Sequence, residues 1–409
     1  MPLATTSSAA ALPWRIPLVF AVSFFVPYLD RNIIALAMPA MARDFNWSDK
    51  QIGGYGELLL GAFFLTYGLA QMILSAPAER WGTKRSLIAV VLGFSLCTIG
   101  IGIASTLTAS IALLVVLRAV LGVTESVHVP MMSATTARHF PPDVRARANS
   151  TWSVGLIVAT ALGPVITVPL IANYGWQTAF MVIGALGLVI ALPLLLWGVP
   201  RDVRRDERPT PKTFTATRWQ FTRQPDYWLY VACGVFNAFC AFGILGWLPT
   251  YFVKAKGMDF NALGWPLAIV FTMGVIGTLL IAALGDRLTR RTLLAAIGFS
   301  GAALLVYSAI QATSLIPLVA LFAAAVFAQS AFTAQEYATV QALAGDANVG
   351  AATGLYNGIS LVLGGVGGSL VPGAIVASTG DFNLGLTSVA AGAVVASVLC
   401  AVLSIRSKL

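Results

Sequence analysis

Ser75-Ala76-Pro77-Ala78-Glu79-Arg80-Trp81-Gly82-Thr83-Lys84-Arg85 follows one long apolar run, and Asp286-Arg287-Leu288-Thr289-Arg290-Arg291 follows another. Glu79-Arg80 and Asp286-Arg287 lie 207 residues apart, so an acid–base pair trailed by further cations recurs half a chain length later. Charges crowded into short junctions between apolar stretches are what loops between membrane helices look like. Their recurrence means that one helical unit occurs twice.

Composition agrees. Of 409 residues, 58% are hydrophobic and 10% charged, with a mean hydropathy of +0.83. A soluble protein carries about 25% charged residues, so most of this surface faces lipid and the chain is a polytopic, all-α membrane protein. A span takes about 20 largely apolar residues. Twelve such windows fit, at residues 16–40, 52–77, 86–104, 108–136, 149–172, 177–198, 227–252, 262–284, 292–311, 315–341, 350–377 and 384–404. Only the stretch from Pro200 to Asp226 makes a long polar loop, which sets the organisation: a six-helix half at 1–199, a cytoplasmic loop at 200–226 and a second six-helix half at 227–409. No basic residue precedes Arg15 and no small-residue cleavage site follows the first apolar run, so that run is an uncleaved span.

The basic residues orient the chain. With both termini inside, cytoplasmic segments hold 19 of the 25 Lys and Arg, while Arg43, Lys50, Lys254 and Lys256 fall outside and Arg31 and Arg118 within the membrane. That asymmetry follows the positive-inside rule and predicts a multi-pass protein of a bacterial inner membrane. The net charge of +9 is spread over these loops, with no basic domain to hold nucleic acid. Cys97, Cys233, Cys240 and Cys400 all sit in apolar windows without metal-ligand spacing and read as packing residues. Nothing resembles a nucleophile triad, a metal cluster or a nucleotide loop, so neither an enzyme nor a cofactor or metal is expected. The halves match elsewhere too: Pro164 with Pro372 at an offset of 208, and Pro39 with Pro249 at 210.

Four charges fall inside the first and fourth windows. Span 1 reads Tyr28-Leu29-Asp30-Arg31-Asn32, and span 4 carries Arg118 and Glu125. An ionised side chain at the centre of a membrane helix costs roughly 2.5–3.5 kcal/mol on insertion scales, so such residues are rare and usually functional. Arg118 and Glu125 are seven residues apart, nearly two turns and about 10 Å along the helix. They are expected to face one way and line one cavity, the bland alternative being a fixed Asp30–Arg118 or Arg31–Glu125 bridge between spans 1 and 4.

The loop at Ser75–Arg85 resembles the G-x-x-x-D-R-x-G-R-K loop of the major facilitator superfamily, with Ser75 in place of the first glycine and Glu79 in place of the aspartate. The resemblance implies a twelve-helix, two-half major facilitator fold in which Glu79, Arg80, Asp286 and Arg287 form a gating latch across the seam between halves. Together with Trp247-Leu248-Pro249-Thr250-Tyr251 and Gly354-Leu355-Tyr356-Asn357, the Y-x-D-R and R-x6-E patterns resemble the anion:cation symporter family. That family includes proton-coupled importers of galactonate and hexuronates, sialin and the vesicular glutamate carriers. It implies Asp30 and Glu125 as the protonatable pair, and Tyr28, Arg31, Tyr67, Arg118 and Asn357 as substrate contacts. His128, Asn237 and Gln329 are secondary candidates, and His128 reads equally well as a satisfied core histidine. Glu336 and Glu57 lie near span ends, where snorkelling or a gate contact is the default.

The expectation is therefore a monomeric secondary transporter importing a small organic anion, a sugar acid or other carboxylate, with protons by alternating access. Burial disfavours an ionised carboxyl and a neighbouring arginine favours it, so a substrate anion that claims the arginine promotes proton uptake. The rivals are a proton-coupled exporter of organic compounds and a transport-dead ligand sensor. Small dicarboxylates such as oxalate are disfavoured because the C-terminal spans supply no Lys or Arg for a second clamp.

Overall fold

The computed structural model describes residues 12–107, 110–201, 216–285, 290–344 and 349–407. Among them are twelve helices long and apolar enough to cross a membrane, here spans 1 to 12: Arg15–Asp44, Asp49–Trp81, Thr83–Leu107, Ile111–His139, Arg147–Tyr174, Trp176–Gly198, Pro225–Lys254, Phe260–Ile281, Arg291–Gln311, Leu315–Ala344, Ala352–Thr379 and Phe382–Arg406. All twelve apolar windows are helical. Several helices run a turn or so past their windows, because caps and not hydropathy end them. Ser48 and Gln51 form a reciprocal capping box at the start of span 2, Ser110 accepts from the Leu113 amide at 3.3 Å, and Asp381 caps span 12. Span 11 stops at Gly380, whose φ of +78° is left-handed and natural to glycine.

Small residues let the helices meet at backbone distance, as membrane packing favours. Gly155 of span 5 sits on the Ala21 carbonyl of span 1, and Gly364 and Gly368 of span 11 sit on the Val235 and Phe239 carbonyls of span 7. Gly122 of span 4 faces the Phe63 carbonyl and Tyr67 amide of span 2, which brings the charged stretch of span 4 beside the aromatic stretch of span 2.

The halves are sealed at one end. Gly53 of span 2 lies against the backbone of Gly373, Val376 and Ala377, the Trp247 ring of span 7 covers Gly56, and Lys254 and Asp49 are 3.6 Å apart. Span 2 packs along Val366–Thr379 of span 11 and far less against Val349–Ile359. A pocket of about 450 Å³ lies between spans 2 and 4 toward the other end, lined by Glu79, Ala134, Ala137 and Arg138.

Spans 4 and 10 are each broken. Span 4 consists of Ile111–Glu125 and His128–His139, and span 10 of Leu315–Thr333 and Glu336–Ala344. His128 and Glu336, the first residues after the two breaks, are 208 apart, the same offset as Pro164 and Pro372. Spans 6 and 11 widen into π-helical turns at Gly187–Ala191 and Ser360–Gly365, which often mark functional positions. All four cysteines are free.

Candidate functional site

Span 1 carries Tyr28, Asp30 and Arg31 at its middle. Arg31 turns toward spans 2 and 4, where its guanidinium carbon lies 4.7 Å from the Tyr28 ring centre, 5.1 Å from Phe63 and 4.7 Å from Tyr67. Its Nη2 donates to Glu125 Oε2 at 3.1 Å, and its Nη1 to the Tyr28 hydroxyl at 3.4 Å. Three rings and one carboxylate therefore hold a planar cation in a fixed plane, which lysine could not reproduce.

Arg118 lies deeper. It is 1% exposed, stacks 4.8 Å from the same Phe63 ring and donates from Nε to the Leu59 carbonyl at 3.3 Å. Asp30 is fully buried within electrostatic range of Arg118 and Glu125. Both Asp30 oxygens, Glu125 Oε1, Arg31 Nε and Arg118 Nη1 have no hydrogen-bond partner among the described residues while the carboxyls are ionised, and a proton on either carboxyl lets Asp30 and Glu125 bond to each other. An unsatisfied buried polar group costs about 1–3 kcal/mol, so a cluster with this many is costly and marks a candidate functional site.

Sequence spacing predicted that Arg118 and Glu125 line one open cavity. In this conformation neither does: Phe63 covers Arg118, and Arg31 covers Glu125. The Arg31–Glu125 bridge, the bland alternative, is present. It leaves Arg31 Nε and Glu125 Oε1 without partners among the described residues, as a pair able to exchange partners requires.

The secondary candidates separate. His128 is a satisfied core residue, sharing a 3.1 Å hydrogen bond with Ser23 and edge-packed on Phe24. Gln329 donates to both the backbone and side-chain oxygens of Asn237, at 3.0 and 3.1 Å, so these two tie span 10 to span 7. Asn357 is half-buried and accepts from the Tyr337 hydroxyl at 3.4 Å.

Sequence reading passed over Phe63 and Tyr337. Phe63 supports both arginines, and only its one-turn spacing from Tyr67 hinted at it. Tyr337 is 46% exposed and lies within electrostatic range of Tyr28 and Tyr67, across the seam between halves. Glu336, read as snorkelling or making a gate contact, accepts a 2.7 Å hydrogen bond from the fully buried Tyr356.

Of the expected latch, Glu79 and Arg80 fall among the described residues. Glu79 pairs with Arg138 of its own half at 2.8 Å, and Arg138 also donates to Thr83. Lys84 caps the end of span 6 through the Leu196 and Val199 carbonyls, at 2.8 and 2.5 Å. Arg80 is exposed. Among the described residues these contacts stitch spans 2, 3, 4 and 6 together, the last turn of span 4 bringing Arg138 alongside Glu79. Asp286 and Arg287 lie outside the described residues.

Twelve helices, a midpoint repeat and a charged cluster at the centre of spans 1 and 4 define the architecture of membrane carriers. Residues 20–368 match the Major Facilitator Superfamily, and the chain belongs to that superfamily, which comprises transporters and not enzymes. It is 25% identical over 290 residues to a probable sulfoacetate transporter of Cupriavidus necator, covering 67% of this chain and 65% of that protein. To a hexuronate transporter of Bacillus subtilis it is 24% identical, covering 88% of this chain and 86% of that one. To an ascorbate transporter of Arabidopsis thaliana chloroplasts it is 25% identical, covering 71% and 56%. The matched stretch thus spans less than two thirds of the first and third of these relatives. Among solved structures, a bacterial homologue of the lysosomal transporter Spinster, inward-facing and unoccupied, superposes with a TM-score of 0.80 at 19% identity, covering 98% of each chain. A D-xylose–proton symporter gives 0.77 at 16%, covering 94% of this chain and 96% of that one.

Proposed function

We propose that the chain is a secondary transporter that carries a small organic anion, a sugar acid or other carboxylate, inward with protons by alternating access. The observation that supports this most is the Arg31 guanidinium, caged by Tyr28, Phe63 and Tyr67 and bound through only part of its donor fork to Glu125. A substrate carboxylate that takes over this fork displaces Glu125. With all four charges ionised, Asp30, Glu125, Arg31 and Arg118 sum to zero. Each proton taken up by a carboxyl leaves the site one unit more positive, so protons and an anion favour each other's binding. Asp30 and Glu125 are the proton carriers, and Tyr28, Arg31 and Tyr67 meet the substrate directly. Arg118 sets the field from behind Phe63, and Asn357 contributes from the second half.

The relatives named for sulfoacetate, hexuronate and ascorbate fit an anionic substrate. The protein is a monomer in a bacterial inner membrane with both termini inside, and the end at Glu79 and Arg138 faces the cytoplasm. The test is uptake into proteoliposomes across a panel of carboxylates. At least one carboxylate is accumulated when an inward proton gradient is imposed, and the accumulation collapses with a protonophore. Efflux against the proton flow identifies an exporter, and binding without flux identifies a sensor.

A further inference from the structure

We infer that Glu336, beside Tyr337 and Asn357 on the second half's side of the cleft, selects the far end of the substrate. It takes a hydrogen-bond-donating, non-anionic end group, a hydroxyl or an ammonium, and rejects a second carboxylate. The inference rests on the anion-transport reading and names the substrate class within it.

Glu336 and His128 occupy matching positions after the breaks of spans 10 and 4, yet they are used differently. His128 is 3% exposed and spent on Ser23. Glu336 remains partly exposed, while a buried scaffold fixes it from behind. The Tyr356 hydroxyl donates to its Oε1 at 2.7 Å, Tyr230 donates to its backbone carbonyl at 3.2 Å, and the two rings stack 5.7 Å apart. A carboxyl held this way presents its charge in one place. Snorkelling toward a span end would instead leave the side chain long and unanchored.

Its neighbour Tyr337 shows which place. The Tyr337 hydroxyl reaches Asn357, and across the seam Gly358, next to Asn357, lies against Met72 of span 2, while Val362 lies against Gly68, the neighbour of Tyr67. Tyr28 and Tyr67 are two walls of the Arg31 cage. A molecule whose carboxylate sits on Arg31 therefore extends past Tyr337 toward Glu336 and Asn357. That end offers no cation, since no Lys or Arg occurs between Arg223 and Lys254, between Lys256 and Arg287, or between Arg291 and Arg406. A second anionic group there meets a carboxylate with nothing to compensate it. A hydroxyl or ammonium gains a charge-assisted hydrogen bond.

The test is binding to the purified full-length protein, using a series of four- to six-carbon carboxylates. Each ω-hydroxy, polyhydroxy or ω-amino monocarboxylate is paired with the dicarboxylate of the same length. The wild-type protein should prefer the monocarboxylate of at least one pair by about tenfold or more. Glu336→Gln keeps an oxygen to accept from Tyr356 and removes the charge. It should lower that preference by about tenfold at an unchanged melting temperature, chiefly by admitting the dicarboxylate, and the ω-amino compounds should weaken most. An unchanged preference in Glu336→Gln overturns the inference. So does a wild-type protein that binds dicarboxylates as tightly as their partners, a result that needs no variant to fold. A wild-type protein that binds no carboxylate at all overturns the anion reading itself, which is a different outcome.

Discussion

Arg31 Nη2 donates to Glu125 Oε2 at 3.1 Å, joining the middle of span 1 to the last residue before the break in span 4. Both partners are almost fully buried, and the remaining atoms Arg31 Nε and Glu125 Oε1 have no partner among the described residues. A buried pair that breaks without replacement costs several kcal/mol. In the proposed cycle, substrate and proton together supply the replacement, one for each half of the pair, so neither would complete the exchange alone.

That exchange makes the carboxyls testable. Asp30→Asn and Glu125→Gln should each abolish accumulation driven by a proton gradient, while at least one retains substrate exchange. Exchange needs only reorientation of the loaded carrier, whereas net cycling needs the proton to leave. Gradient-driven uptake at wild-type levels in both variants would remove the two residues from the coupling.

The two arginines should part company. Arg31→Lys keeps the charge but loses the fork and the three-ring stack, so affinity should fall about ten- to a hundredfold, the worth of a charge-assisted hydrogen bond. Arg118→Lys, behind Phe63 and bonded to the Leu59 carbonyl, should leave affinity within a few-fold and lower the melting temperature and transport rate. Equal affinity losses in the two variants would mean that Arg118 touches the substrate directly.

Phe63 is where both guanidinia meet a single ring. Phe63→Leu fills much of the same volume but has no π face. Each cation–π contact is worth about 0.5–2 kcal/mol, so affinity should drop several-fold while the protein stays folded by melting temperature. Wild-type affinity in a folded Phe63→Leu protein would reduce the ring to a spacer.

The twelve spans were legible because twenty-residue apolar windows are a lipid-imposed signal, and the repeat because loop charges and prolines recur at nearly one offset. Asp30, Arg31, Arg118 and Glu125 were legible as rare intramembrane charges. Three things were missed. The break at Ser126-Val127 had an unread signal, since Pro130 has no amide for the Ser126 carbonyl four residues back, whereas the break at Ala334-Gln335 has no proline or glycine near it. Phe63 and Tyr337 are ordinary aromatics until tertiary packing sets them against Arg31 and across the seam. The Arg138 partner of Glu79 sits 59 residues away, and positive-inside statistics explain its presence without naming its contact.

That contact gives a prediction about the loop. Glu79 is half exposed and its pair with Arg138 lies within one half, so Glu79→Gln should cost no more than about 1 kcal/mol of stability and leave binding affinity unchanged. A change in turnover without a change in affinity would show that the loop engages another partner in a second conformation. A several-fold change in affinity would place Glu79 in the substrate path, which its exposed position argues against.

The second half's grip on the substrate is the remaining requirement. Alternating access favours closure only when the substrate touches both halves, and Asn357, whose side-chain oxygen accepts from the Tyr337 hydroxyl, is the proposed contact of the second half. Asn357→Ala should weaken binding about two- to tenfold, the worth of one hydrogen bond, and alter the ranking of polyhydroxy acids. Tyr337→Phe, which frees Asn357 but keeps the ring, should change that ranking less than it changes affinity. If Asn357 only packs span 11 against its neighbour, its alanine variant will melt earlier and bind as the wild type does. Measuring both quantities on the same preparation separates a substrate contact from a packing residue.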